Sequence, residues 1–309
     1  MSFDRPGRTQ ATPSRHSLST SLLTATFILF ALAVVVGCAG GNSEEQSNGT
    51  PIESAPDPGP VHVHGLGVDP ADETLYIASH TGLFRLPRDS SAATRVADRY
   101  QDTMAFTVTG PGRFLGSGHP DMREDLPPFL GLIESTDAGE SWVEVSLQGE
   151  VDFHLLAASG SRVYGFGSVW GSNEAVFLAS NNGGESWTKH GPPESLIGLA
   201  ISPSDPRMLI ASSARSLFLT QDGGKTWNRS PGSPGLLAWP QPDRLYVADT
   251  KGSIERSTNM GQSWRQAGRL PGPPSALGFG SGELFAATHN GAVLESRDQG
   301  ATWSERFSP

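Results

Sequence analysis

From residue 135 onward an eight-residue pattern recurs five times: STDAGESW (135–142), SNNGGESW (180–187), TQDGGKTW (220–227), STNMGQSW (257–264) and SRDQGATW (296–303). Its tryptophans, Trp142, Trp187, Trp227, Trp264 and Trp303, are spaced 45, 40, 37 and 39 residues apart. A unit repeated at near-constant spacing buries its apolar face only by stacking on its neighbours, which restricts the chain to repeat architectures.

The residue types describe a tight turn between two strands. The fifth place is always glycine, as a positive φ requires, and the third supplies a side-chain acceptor for turn amides. Asp137, Asp222 and Asp298 offer a carboxylate there, and Asn182 and Asn259 an amide oxygen able to accept the same bonds. Serine or threonine at the first and seventh places braces the turn. The closing tryptophan buries its ring against a neighbouring strand or unit. These are structural residues.

Each turn ends a longer unit. LGVDPADETLYIAS (66–79) aligns without a gap to LAISPSDPRMLIAS (199–212), so a first unit lies upstream, its own turn decayed to LPRDSSAA (86–93). Every unit reads as strand A, strand B ending in small residues, strand C running into the turn, and strand D after the tryptophan. Six A strands begin near His64, Met104, His154, Ile197, Leu236 and Ala276. Residues 61–309 are therefore expected to form an all-β propeller of six blades, each of four antiparallel strands, at about 41 residues per blade.

Over about residues 62–305 these repeats resemble the Asp-box (BNR-repeat) superfamily. It includes sialidases, glycosyl-hydrolase-like bacterial lipoproteins and photosystem assembly factors, all propellers. The resemblance implies the fold more sharply than a function.

The first 60 residues read differently. Arg5, Arg8 and Arg15 precede an uncharged apolar run, Leu22–Val36, too short for a spanning helix but suited to an export signal over residues 1–37. The run closes in Val35-Val36-Gly37-Cys38, which resembles the bacterial lipobox, and Cys38 is the only cysteine in the chain. The resemblance implies acyl groups on Cys38, insertion in a lipid bilayer and a location on the extracytoplasmic side of the cell membrane. Residues 38–60 are polar and rich in Pro, Gly and Ser, a disordered tether. Removing residues 1–37 leaves 19 basic and 31 acidic side chains, a net charge of −12. That balance excludes nucleic acid as a partner.

Strand direction assigns residues to faces. Starts of A and ends of B share one face of the disc, and the repeated turns lie on the other. Of eight histidines, six fall on the A-start/B-end face: His62, His64, His80, His119, His154 and His289. His16 lies in the export signal and His190 elsewhere. Asp102, Asp152 and Asp249 join the six, and residues two apart, such as His62 and His64 or Asp152 and His154, are expected to point the same way. Imidazoles and carboxylates together form shells for divalent transition metals, so His64, His80, His119, His154 and His289 are candidate metal ligands. The same cluster could bind a polar ligand instead of a metal; the alternative is that the histidines cap backbone groups and line a wet channel. HPDMREDLPPF (119–129) is the one long insertion on this face, placed like a lid, and Trp170 could present an aromatic platform.

Two function classes stay open. In the first, the propeller is a non-catalytic binder of a polar ligand, a metal ion, or a glycan or membrane-protein partner. In the second it is a glycoside hydrolase, with Asp102, Asp152, Asp249 and Glu194 as candidates for the required carboxylate pair. True sialidase chemistry is disfavoured, because no arginine stands at any strand-A start or strand-B end. Phe84-Arg85-Leu86-Pro87 matches a sialidase motif but falls on a C strand.

Overall fold

The computed structural model describes residues 56–172 and 174–309. The export signal, Cys38 and the tether as far as residue 55 lie outside the described residues. The strands are numbered in chain order, four to a blade. Blade 1 holds β1 (Val63–Val68), β2 (Leu75–Ser79), β3 (Gly82–Leu86) and β4 (Thr94–Arg95). Blade 2 holds β5 (Asp102–Gly110), β6 (Arg113–His119), β7 (Leu132–Ser135) and β8 (Val143–Ser146). Blade 3 holds β9 (Val151–Ser159), β10 (Arg162–Val169), β11 (Ala175–Ser180) and β12 (Thr188–His190). Blade 4 holds β13 (Leu196–Ile201), β14 (Leu209–Ser213), β15 (Leu217–Thr220) and β16 (Asn228–Ser230). Blade 5 holds β17 (Leu236–Gln241), β18 (Arg244–Ala248), β19 (Ser253–Ser257) and β20 (Arg265–Arg269), and blade 6 holds β21 (Pro274–Gly280), β22 (Glu283–Thr288), β23 (Val293–Ser296) and β24 (Ser304–Phe307). Each blade is an antiparallel meander of consecutive strands. The chain is a six-bladed all-β propeller with no helix among the described residues.

The first strand of each blade is innermost, and these six strands neighbour one another in a closed ring in which β1 lies between β5 and β21. Where β21 meets β1 the backbones come so close that a Cβ on Gly278 would sit 2.7 Å from the Leu66 carbonyl oxygen. Only glycine permits that approach. The second strands are covered by a blade on either side, so β2, β14 and β22 are buried at every residue.

The core is six wedges, one between each pair of neighbouring blades. Phe84, Leu86 and Ile77 of blade 1 meet Phe285 and Val293 of blade 6, and Phe153 and Val163 of blade 3 meet Leu115 and Leu132 of blade 2. At about 25 cal/mol per Å² of apolar surface, these wedges dominate the favourable side of folding.

The repeated turns are built from side chains. In the first, Ser135 Oγ donates to Asp137 Oδ1 at 2.8 Å and accepts from Gly139 N at 2.8 Å, while Asp137 accepts from both Ser141 N and its hydroxyl. In the second, Asn182 Oδ1 accepts from Ser186 N, and its Nδ2 donates to Ser186 Oγ. The amide thus preserves the turn by reversing one bond. Trp187 Nε1 donates to Ser146 Oγ at 2.9 Å, tying blade 3 to blade 2.

Each blade owns all four of its strands, so closure depends on the seam between blades 6 and 1. Beside the wedge of apolar side chains, Arg88 pairs with Glu283 at 3.1 Å and with Glu73 at 2.9 Å. Arg306 pairs with the buried Glu295 at 3.1 Å and donates to the Arg88 carbonyl at 2.6 Å. Of the segment read as a tether, residues 56–60 are described. There Asp57 pairs with Arg95, whose guanidinium lies 4.5 Å from the Phe84 ring centroid and 3.8 Å from that of Tyr100, and Gly59 O accepts from Thr81.

Candidate functional site at the channel mouth

The strand starts that line the channel carry a device the linear pattern conceals. In β1 the register runs Val63 opposite Ser79 and then Gly65 opposite Ala78, leaving His64 as an extra, bulged residue. The same shift leaves Met104 unpaired in β5, His154 in β9, Ile197 in β13 and Ser275 in β21. A bulge breaks the two-residue alternation and re-aims its side chain. All five of these residues line a narrow channel of about 110 Å³ on the propeller axis. The bulge at His64 and the left-handed φ of 51° at His62, just before β1, interrupt the alternation of that pair, whereas Asp152 and His154, also two apart, meet at 2.9 Å.

Two glycines make room for this geometry. A Cβ on Gly118 would lie 2.0 Å from the Asp102 carbonyl oxygen, and one on Gly167 would lie 1.9 Å from that of Asp152. Both sit on second strands beside the bulges, so the glycines of GSGH (116–119) and FGS (166–168) are there for close backbone approach.

Four histidines converge on two carboxylates. His80 Nδ1 lies 2.8 Å from Asp102 Oδ2, His119 Nδ1 3.3 Å from the same oxygen, and His64 Nε2 3.5 Å from Oδ1. The other nitrogen of His119 lies 3.7 Å from Asp152 Oδ2, to which His154 Nε2 comes within 2.9 Å. His119 thus stands between the two aspartates. His64 Nε2, Asp102 Oδ1 and Asp152 Oδ1 are buried without a hydrogen-bond partner. One ligand atom each from His64, His80 and Asp102 lies within 4.8 Å of the others, a grouping of imidazole and carboxylate that could hold a metal ion.

The electrostatics follow from that packing. Burial opposes ionisation of Asp102, but the His119 and His64 imidazoles and the nearby His80 outweigh it and hold its carboxyl well below the usual range. The hydrogen bond to Asp102 raises His119 above its ordinary value against a smaller opposing effect of burial, and Asp152 raises it further. His154 is raised chiefly by its bond to Asp152.

The remaining candidates are distributed around this centre. His62 contacts His80 edge-on, with ring centroids 6.3 Å apart, and both His62 and His289 line a mouth of about 410 Å³ with Pro274, Ser275 and Thr288. No described contact joins His289 to the two aspartates. Asp249 is occupied in its own loop, where Oδ1 accepts from Lys251 N and Ser253 N at 2.8 Å each, and Glu194 pairs with Arg229. Trp170, 59% exposed, sets its ring edge-on against Phe129 at 5.1 Å, and Phe129 in turn lies 5.6 Å from the His119 ring. Phe129 escaped the sequence reading. Its only signal was its place as the last residue of the insertion. Within that insertion Arg123 clamps the buried Asp121, which also accepts from Tyr100 N at 2.8 Å, so the segment is fastened to blades 1 and 2. Arg85 lies on β3, paired with the exposed Glu140 and away from the channel.

No family model matches the chain. A xyloglucanase from Paenibacillus sp is 25% identical over 287 residues, covering 78% of this chain and 26% of the enzyme, so the chain spans about a quarter of that relative's length. Among solved structures, one of a nidogen/laminin complex superposes with a TM-score of 0.59 at 13% identity, covering 76% of this chain and 93% of that one. An ancestral GH74 enzyme gives a TM-score of 0.50 at 15% identity, covering 76% of this chain and 36% of the other. The two structural likenesses are likenesses of fold, and the xyloglucanase adds a weak sequence similarity to a glycoside hydrolase.

Proposed function

We propose that the protein is a binding propeller whose channel mouth holds a divalent transition metal ion, with His64, His80 and Asp102 as ligands and His119 beside them. The observation that carries this reading is the convergence of two imidazole nitrogens and an ionised, buried carboxylate from two different blades. Imidazole and carboxylate together suit zinc or copper, and a site with three protein ligands leaves a position open to a further ligand. Phe129 and the Trp170 ring against it form an apolar shelf beside His119. Lipid attachment at Cys38, which would present this face outside the cytoplasmic membrane, belongs to the same proposal and rests on the Val35-Val36-Gly37-Cys38 pattern alone.

The test is metal analysis of protein purified without a histidine tag, followed by zinc and copper titration. Close to one ion per chain, lost in His64→Ala/His80→Ala, is expected. Stoichiometry near zero and unchanged by those substitutions would remove the metal.

The xyloglucanase similarity favours a second reading, in which Asp102 and Asp152 act on a glycan. A low-pKa Asp102 suits a base or a nucleophile, whereas the reaction also requires a carboxyl group held protonated as the acid. Turnover of a chromogenic glycoside, abolished in Asp102→Asn and Asp152→Asn, would support this reading over the first.

A further inference from the structure

On the opposite face, between blades 5 and 6, Arg256 at the end of β19 stands directly across from Arg265 at the start of β20. Residues so paired project their side chains from one face of the sheet, with Cβ atoms about 5 Å apart, and like charges in that relation repel. Among the described residues neither arginine pairs with a carboxylate. The chain could have placed any neutral residue at either position. Two guanidinium groups set opposite each other with no carboxylate paired to either among the described residues, in a protein of net charge −10, favour an anionic ligand.

The surroundings are those of a binding groove. It offers about 630 Å³ open to solvent and is also lined by Thr258 and Gln299. Arg256 Nη1 donates to Gln299 Oε1 across the blade interface, which fixes its fork. Arg265 and Thr258 make no side-chain hydrogen bond to the protein among the described residues. The turn beneath the pair carries Asn259 in place of aspartate, so it adds no negative charge, and its amide is engaged by Ser257 and Ser263. Asp298 also faces the groove, but its carboxylate is turned to Ser296 and Thr302, whose hydroxyls donate to it at 2.9 and 2.6 Å.

We infer that this groove binds the carboxylate of an acidic saccharide on Arg256 and Arg265. The paired guanidinium groups supply the oxyanion contact. The groove has room for a saccharide as well as its carboxylate, and the flanking Thr258 hydroxyl and Gln299 amide match sugar hydroxyls. The site lies on the face of the repeated turns, so it is independent of the histidine cluster.

The full-length protein is titrated calorimetrically at constant ionic strength with glucuronate, glucose and inorganic phosphate. Glucuronate is expected to bind, with glucose and phosphate each at least tenfold weaker. Arg256→Gln and Arg265→Gln should each weaken glucuronate about tenfold or more, as loss of a charged hydrogen bond implies. Without ligand, Arg265→Gln should melt at or above the wild-type temperature, because a repulsion is relieved. His80→Ala should leave glucuronate binding unchanged. Phosphate binding as tightly as glucuronate, equal binding of glucose, or no binding at all would each overturn the inference.

Discussion

Arg88 Nη2 lies 3.1 Å from Glu283 Oε1, joining the first blade to the last across the only junction that no continuous chain bridges. Behind it Glu295, 1% exposed at its side chain, is held by Arg306 at 3.1 Å and by Arg297 at 2.8 Å. Removing Arg306 leaves one oxygen of the buried Glu295 without its charged donor, while Arg297 still holds the other. Arg306→Ala should therefore destabilise the protein by about 2 kcal/mol. Arg85→Ala, which breaks an exposed pair with Glu140, should change stability by less than about 0.5 kcal/mol. Urea denaturation of the two variants against wild type makes the comparison. Equal effects would mean that the seam is held by apolar packing alone.

The same seam sets an acid limit. Burial raises Glu295, but Arg297, a hydrogen bond from the Glu283 carboxyl, itself raised by burial and by Glu295, and Arg306 outweigh it and hold the Glu295 carboxyl at about 2 against an ordinary 4.5. A carboxyl with a depressed folded value contributes stability that is complete above the unfolded value and fades as pH falls through the folded one. Stability should thus decline from about pH 4.5 towards pH 2, and Glu295→Gln should flatten that part of the profile. Melting temperatures measured from pH 6 to pH 2 decide it.

In the repeated turns, Asp222 accepts from Thr226 N, the Thr226 hydroxyl and Thr220. Asn182 and Asn259 keep equivalent turns with an amide, so Asp222→Asn should lower the melting temperature only slightly. Asp222→Ala removes every acceptor and should lower it clearly more. If the two variants melt alike, the side chain does not hold the turn.

The architecture was open to sequence reading because its determinants are local: a glycine, an acceptor and a tryptophan within eight residues announce each turn, and strand direction follows from counting turns. That count also brought His64, His80, His119 and Asp102 to one face. The bulges were not legible, since a bulge at His64 exists only relative to its register with Ser79 and Ala78. Gly118 looked like an ordinary small strand residue until the Asp102 carbonyl was seen against it. Arg88 and Arg306 lie 218 positions apart, and nothing in the local pattern of either announces a shared seam. At Asp249 the sequence places the residue on this face but does not show that one carboxylate oxygen is engaged by its own loop.

Gly118 offers a direct test of how the site is held. Its φ of 137° is hostile to other residues, and an added Cβ would meet the Asp102 carbonyl at 2.0 Å. Gly118→Ala should cost about 2 kcal/mol or more and displace Asp102 from His80. Gly160, where a Cβ meets nothing within 4 Å, provides the control at another positive φ of 56°. Both variants carry backbone strain, so only Gly118→Ala should also abolish zinc or copper binding in titration. Metal binding that survives in Gly118→Ala would mean that the carboxylate is positioned by something other than the strand beneath it.

His154 reports on the second half of the cluster. Its Nε2 lies 2.9 Å from Asp152 Oδ2, and that bond raises its pKa above the ordinary 6.5 despite burial and the neighbouring His119. In metal-free protein a group with a raised folded value stabilises fully below the unfolded value, and the contribution disappears as pH rises through the folded one. Asp152→Asn removes the charge that sustains the shift while keeping an acceptor of the same shape. The His154 midpoint, followed by NMR, should fall towards 6.5 in that variant, and the loss of stability above neutral pH should become shallower. An unmoved midpoint would show that His154 takes its proton affinity from the channel as a whole and not from its partner two residues away.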